Sequence, residues 1–292
     1  MKEMTKSLML IALFLLSLSS CDKSEINNEN GEKTICFEVL NYKQYGFESS
    51  RAAVPIDLPH LTFAVFDATT GAVIVPTTTY NVGDEGYGHF SATLPFGSYQ
   101  LVFMGYDKDY DCTIASPTSV SFKDSFVPNT FLNYTTIVVD KDTESQQLVT
   151  LNRAVAAFRL VVNDEIPSEL RGIRFICDGG GTVLNATTGF AKDVTGRTST
   201  VSIPAGFAGG ENAGILAYLF LPSDETMVNY RVEALDGAGN VICGRDFKDV
   251  PMKINVITCY SGSFFTEPIQ SVSADYSILY EKEWADVLHY SY

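Results

Sequence analysis

From residue 34 to residue 265 the chain is a succession of short runs rich in Val, Ile, Thr, Phe and Tyr, separated by clusters of Gly, Pro, Asn and Asp. Runs of four to ten residues that alternate apolar and polar side chains, bounded by turn residues, are the signature of half-buried strands, and many in succession point to an all-β sandwich. The pattern predicts strands at Leu61–Asp67, His89–Leu94, Tyr99–Tyr106, Thr136–Val139, Ala154–Val162, Ile173–Cys177, Thr200–Ile203, Ile215–Leu221, Tyr230–Leu235, Val241–Phe247 and Asn255–Phe265. Helical periodicity is nearly absent; Asn163–Leu170 admits at most one turn. Two connections carry hairpin chemistry. Pro95-Phe96-Gly97-Ser98 and Asp236-Gly237-Ala238-Gly239-Asn240 each divide two alternating runs, and both predict antiparallel hairpins.

The two ends break the pattern. Lys2 and Lys6 form a positive n-region, Leu8 to Leu16 an apolar run, and Leu18-Ser19-Ser20-Cys21 has the shape of a lipobox. Residues 1–20 are therefore expected to be a lipoprotein signal peptide and Cys21 the lipidated N-terminus; the apolar run falls well short of the ~20 residues that span a bilayer. Two or more acyl chains give a stable membrane anchor, which places the rest of the chain outside the cytoplasm. Residues 21–33 are polar and acidic and are expected to be a flexible spacer. At the far end, residues 267–292 are too apolar for a disordered tail. Val272, Ala274, Tyr276, Ile278 and Tyr280 alternate with mainly polar residues, the period of a strand with one apolar face. Such a strand either folds back as an extra edge strand on its own domain or completes a neighbouring subunit's sheet by strand addition; the second is the expectation taken forward. Near the start, Thr34–Phe47 is strand-like and is followed by a small-residue loop, Glu48 to Ala53, in which Arg51 is a candidate site for a trypsin-like protease.

A mature chain of about 270 residues exceeds what one small sandwich needs and fits two domains. Asp140–Ser145 is the most polar stretch in the middle, and a fresh strand pattern starts at Gln147. The boundary is expected near residue 150, giving an N-terminal domain at 34–150 and a C-terminal domain at 151–266.

Charge and candidate chemistry exclude more than they suggest. The formal net charge is −15; residues 1–20 carry Lys2, Lys6 and Glu3, one net positive charge, so their removal leaves −16. So acidic a chain repels phosphate backbones, which argues against nucleic acid as a partner. Of six cysteines, Cys21 is assigned to lipid; Cys36, Cys112, Cys177, Cys243 and Cys259 remain, most inside apolar runs. Buried free thiols are expected first, one structural disulfide second. There is no CxxC pair or Cys/His cluster, so no zinc site is expected. His60, His89 and His289 lack motif partners, and no nucleophile elbow, HExxH or phosphate loop is present. The chain is expected to be no enzyme and to use no cofactor. Asp107, Asp109 and Asp111 resemble the start of a calcium loop, but Cys112 and Thr118 stand where an EF-hand needs Gly and Glu, so a solvated loop is expected. Tyr and Phe are plentiful, and exposed ones could stack on sugars; most are expected in the core.

Four segments in order resemble the fimbrillin superfamily, the subunits and anchors of type V pili of Bacteroides-like bacteria. Phe90-Ser91-Ala92-Thr93-Leu94-Pro95-Phe96-Gly97-Ser98-Tyr99 resembles that family's Leu-Pro-x-Gly-x-Tyr hairpin. Leu151-Asn152-Arg153-Ala154-Val155-Ala156 resembles the Leu-x-Arg-x-Val-Ala opening of its C-terminal domain, and Lys253 to Gly262 its closing Asn-x-x-Thr-x-Tyr-x-Gly strand. The lipobox at Cys21 is the fourth. The resemblance implies two tandem transthyretin-like β-sandwich domains of antiparallel strands with a C-terminal strand-like extension, and assembly by donor-strand exchange. It further implies Arg51 as scissile residue, Thr34–Phe47 as removable strand and Ile269–Tyr280 as donor. The expected role is a structural lipoprotein of a fimbria at the outer membrane or cell surface, an anchor or accessory subunit ahead of a processed stalk subunit. Its implied partners are other fimbrial subunits, of its own or a paralogous kind, with a host or bacterial surface ligand as a further class. The alternative is a cell-surface glycan-binding lipoprotein.

Overall fold

The structure, a computed structural model, describes residues 31–40, 58–207, 214–266 and 286–291. The first half holds β1 (Glu32–Leu40), β2 (His60–Asp67), β3 (Val73–Asn81), β4 (His89–Pro95), β5 (Gly97–Tyr106), β6 (Cys112–Ser116), β7 (Ser119–Phe122), β8 (Thr130–Val139), β9 (Gln146–Thr150) and β10 (Asn152–Arg153). The second holds β11 (Ala156–Val162), β12 (Gly172–Cys177), β13 (Val183–Asn185), β14 (Phe190–Ala191), β15 (Arg197–Ser202), β16 (Ile215–Leu219), β17 (Glu225–Leu235), β18 (Val241–Lys253), β19 (Val256–Gly262) and β20 (Asp286–Ser291). One 3-10 turn, Lys123–Ser125, is the single helical element among the described residues. The protein is all-β, as the alternating pattern predicts.

The first sandwich packs a three-stranded sheet, in the order β4-β1-β9, against a five-stranded one, β10-β8-β5-β2-β3. Ile35 and Phe37 from β1, Phe90 and Leu94 from β4 and Val149 from β9 meet Phe63, Leu101, Phe103 and Phe131 from the opposite sheet. The rings interlock: Phe63 and Phe103 stack with centroids 4.8 Å apart, and Phe37 lies 5.5 Å and 5.4 Å from them. The second sandwich packs β16-β11-β19-β20 against β15-β12-β17-β18. Phe158 is its hub, 4.5 Å from Tyr230 and between 5.5 and 5.8 Å from Phe175, Phe247 and Tyr260.

A third core lies between the sandwiches. The side chains of β2 and β5 that face away from the first core, Ala64, Phe66, Val102, Met104 and Tyr106, meet Ala157 and Val161 of β11 and Ile257 and Cys259 of β19. An antiparallel four-stranded sheet covers this core in the order β14-β13-β7-β6, with two strands from each half of the chain. Val183 pairs with Ser121 and Leu184 with Val120 across the join. Gly105 shows how tightly β5 is enclosed: a Cβ there would sit 2.8 Å from Leu58 and 2.9 Å from Leu151.

The structure corrects one predicted hairpin. Asp236–Asn240 does join an antiparallel pair, β17 and β18. Pro95–Ser98 does not: β4 pairs with β1 in one sheet, whereas β5 pairs with β2 and β8 in the other. The segment is a corner that passes the chain between the two layers, and the Tyr99 hydroxyl donates back across it to the Pro95 carbonyl at 2.8 Å. The strand pattern at Gln147 is β9, which runs parallel to β1 in the first sandwich. One further strand differs from its predicted place. The predicted strand at Ala154–Val162 begins at Ala156, because Asn152 and Arg153 pair instead with Leu132 and Phe131 of β8.

Candidate functional site

β1 is the middle strand of its sheet, antiparallel to β4 and parallel to β9, and it alone separates them. Its sequence explains the position. Ile35 and Phe37 point into the first core and are essentially inaccessible, while Thr34 and Glu38 face solvent. The Thr34 hydroxyl hydrogen bonds to that of Thr93 at 2.8 Å, and the Lys33 ammonium donates to the Lys141 carbonyl at 3.1 Å. Adjacent strands lie about 4.8 Å apart, so withdrawing β1 leaves β4 and β9 separated by roughly twice that, a gap one strand wide. The floor of the gap would be Phe63 and Phe103 of the opposite sheet. β1 joins the remainder of the chain through residues 41–57, which include Arg51.

At the other end of the molecule, β20 lies at the edge of its sheet, parallel to β19, with Val256 opposite Asp286 and Ser261 opposite Ser291. Thus the described part of the C-terminal extension adds a strand to its own domain. Cys21, Arg51 and the candidate donor residues Val272, Ala274, Tyr276, Ile278 and Tyr280 lie outside the described residues.

Two of the quoted motifs meet physically. Arg153, buried on β10, donates from Nε to Asn129 Oδ1 at 2.9 Å and from Nη1 to Asn255 Oδ1 at 2.7 Å, and its guanidinium lies 4.6 Å from the Phe131 ring centroid. Asn255 sits at φ 61° in the turn between β18 and β19, a left-handed conformation that Asn tolerates better than most residues. Its backbone N–H donates to Val155 at 2.9 Å. Asp107 Oδ1 accepts the Asn129 N–H at 3.0 Å, and burial raises the Asp107 carboxyl above its usual range. Motif residues 102 positions apart are therefore partners in one knot where the two sandwiches join.

The remaining candidate chemistry is absorbed by structure. A cleft of about 310 Å³ lies over this knot, lined by Asn133, Tyr134, Arg153, Thr187, Thr188 and Phe190 among others. Its polar groups are engaged internally: Asn133 Nδ2 donates to Thr150 O, and the Thr187 and Thr188 hydroxyls donate to Asn185. His60 Nδ1 is 2.8 Å from Asn81 Oδ1, and its ring stacks on Tyr106. Cys112, Cys177 and Cys259 are buried, and Cys36 and Cys243 are half-buried. Among the described residues no group of three or more His, Cys, Asp or Glu is placed to hold a metal ion.

A family model described as a family of unknown function, DUF6562, matches residues 122–289, more than half of the chain, and the chain belongs to that family. The match starts at the end of β7 and takes in strands of both sandwiches. No curated protein matches. Among solved structures, the chain is similar to a candidate adhesin from Bacteroides ovatus at TM-score 0.47 and 14% identity, over 73% of this chain and 77% of that one. A candidate polysaccharide-binding protein (DUF1812) from Bacteroides thetaiotaomicron aligns at TM-score 0.45 and 13% identity, over 72% and 79%. The fimbrial anchor protein Mfa2 from Porphyromonas gingivalis aligns at TM-score 0.41 and 12% identity, over 74% and 83%.

Proposed function

We propose that this DUF6562 protein is a non-enzymatic structural lipoprotein of a fimbria, an anchor or accessory subunit held to the outer membrane through lipid on Cys21 and joined to other fimbrial subunits by strand addition. The observation that supports this reading is the place of β1: it is the first described strand, it fills the middle of a three-stranded sheet, and in sequence it precedes β2 by residues 41–57, which include Arg51. A strand in that position can be exchanged for another of similar pattern without disturbing the opposite sheet. Burial of Ile35 and Phe37 contributes about 1.5–3 kcal/mol each, and main-chain pairing on both edges adds to it. An incoming strand that places two large apolar side chains on the same face gains the same terms, less the cost of its own ordering.

The test is to nick the folded protein with an arginine-specific protease and offer a labelled peptide of residues 267–292. The nicked protein should release β1 and bind the peptide with 1:1 stoichiometry, while the uncut protein should not. Failure of the nicked protein to exchange overturns the strand-addition reading. The mature N-terminus then separates the roles: a chain beginning at acylated Cys21 keeps β1 and serves as an anchor, and one beginning at Ala52 is a processed stalk subunit.

A further inference from the structure

We infer that Asp164 and Arg245 form a backbone clamp that fixes the point from which the C-terminal extension leaves the second sandwich, which makes them positioning residues for the strand that the extension supplies. The segment after β19 does not simply run off the sheet. Phe264 N–H donates to Asp164 Oδ1 at 2.9 Å, and the N–H groups of Phe265 and Thr266 donate to Oδ2 at 2.7 and 2.8 Å. The Thr266 hydroxyl lies 3.2 Å from the same oxygen. In an extended strand successive N–H groups point to opposite sides; three in a row directed at one carboxylate require the chain to curl, and such a concavity of amides favours an anion. Here the protein supplies the anion itself.

Arg245 holds the other side. From β18, in the opposite sheet, its Nε donates to the Phe264 carbonyl at 2.8 Å and its terminal nitrogen to the Thr266 carbonyl. Its guanidinium lies 6.0 Å from the Phe264 ring centroid, and that ring is fully buried in the second core. Next to Asp164, the Asn163 N–H donates to Gly262 O at 2.9 Å and its side-chain amide to Ser261 Oγ at 2.9 Å, so the exits of β11 and β19 are fastened together. Residues 264–266 are thus gripped through their N–H groups by Asp164, two residues past β11, and through the carbonyls of Phe264 and Thr266 by Arg245 of β18.

The consequence for the extension is directional. Whatever follows Thr266 starts from a fixed place, and a pull on it is transmitted to both sheets of the sandwich instead of peeling β19 from its neighbours. That mechanical role rests on the fimbrial reading above; the clamp itself does not.

The test uses the full mature chain and hydrogen exchange at the amides of Phe264, Phe265 and Thr266. Asp164→Asn should speed their exchange at least tenfold, with the β17 and β18 amides unchanged. Exchange within twofold of the unmodified protein overturns the clamp. Should Asp164→Asn fail to fold, Arg245→Gln removes only the carbonyl side and is read at the same amides, with faster exchange again expected. The peptide-exchange assay keeps the two ideas apart. Faster exchange at 264–266 in a protein whose nicked form binds no peptide supports the clamp and sinks strand addition; unchanged exchange sinks the clamp whatever the peptide does.

Discussion

Replacing Phe37 by Ala asks how much of the first core depends on β1. The side chain is 2% exposed and its ring packs 5.5 Å from Phe63 and 5.4 Å from Phe103, so truncation leaves a void bounded by two rings that cannot both move into it. Phe→Ala at such sites costs about 3–5 kcal/mol, against a total stability of about 5–15 kcal/mol for an ordinary domain. If β1 detaches as a unit while the remaining strands stay folded, as the proposed exchange requires, the global cost cannot exceed the free energy of that local release. Urea unfolding of the mature chain with Cys21→Ser, followed by circular dichroism, reads the effect as a fall in midpoint at unchanged slope. Glu38→Ala, on the same strand but facing solvent, should stay within about 0.5 kcal/mol of the parent. A loss below about 1 kcal/mol for Phe37→Ala, equal to that of Glu38→Ala, would refute the claim that β1 is part of the core, and the argument for a strand-wide slot would go with it.

Arg153→Lys should cost about 1–3 kcal/mol in the same assay, because an ammonium cannot reproduce the fork that reaches both Asn129 and Asn255, and one buried amide oxygen is left unsatisfied. Asn255→Gly should be milder than Asn255→Ala by about 1 kcal/mol, since both lose the acceptor but only Ala is strained at φ 61°. Burial pushes the Cys112 thiol up to about 12, so iodoacetamide at pH 8 should leave Cys112 unlabelled in the native protein and label it once in urea, as read by mass spectrometry. For Asp164, burial opposes ionisation, but the N–H groups of Thr266, Phe264 and Phe265 outweigh it and hold the carboxyl below its usual range; Arg245 and Cys243 of β18 are the charged and titratable neighbours. A depressed folded-state pKa gives stability that is present above the unfolded value near 4 and lost as pH falls through the folded value. The stability difference between the parent and Asp164→Asn should therefore be full at pH 7 and shrink below about pH 4; a difference independent of pH would count against the carboxylate.

Strands were legible in the sequence where one face meets solvent. β4 alternates without exception, with Phe90, Ala92 and Leu94 inside and His89, Ser91 and Thr93 outside, and its predicted bounds match the observed ones to a residue. The β17–β18 hairpin was legible because its turn is local chemistry: Asp236 accepts the N–H groups of Ala238 and Asn240, and Gly239 takes φ 85°. The corner at Pro95–Ser98 also carries turn-forming residues, and what distinguishes it from a hairpin is the identity of each strand's neighbours, which no local window contains. β3 escaped notice because its middle is Pro76-Thr77-Thr78-Thr79, an edge strand whose exposed faces leave little apolar signal. At the knot, Arg153 and Asn255 were visible as motif residues, yet their contact spans 102 positions and only the fold reveals it.

The third core was also written in the sequence. Leu101-Val102-Phe103-Met104-Gly105-Tyr106 is apolar without interruption, and a strand of a two-layer sandwich with one wet face would alternate instead. The run is continuous because β5 is covered twice: Leu101 and Phe103 enter the first core, and Val102, Met104 and Tyr106 enter the one shared with β11 and β19. A joint made of packed side chains and paired strands resists bending in a way that a linker cannot, since any tilt between the sandwiches opens voids at Phe66, Val102 and Ile257 together. β1 and the clamp at residues 264–266 belong to the two sandwiches that this core joins. Were subunits joined by strand addition as proposed, the same joint would fix the orientation of each subunit relative to the next, because a tilt between the two sandwiches would open the voids just named.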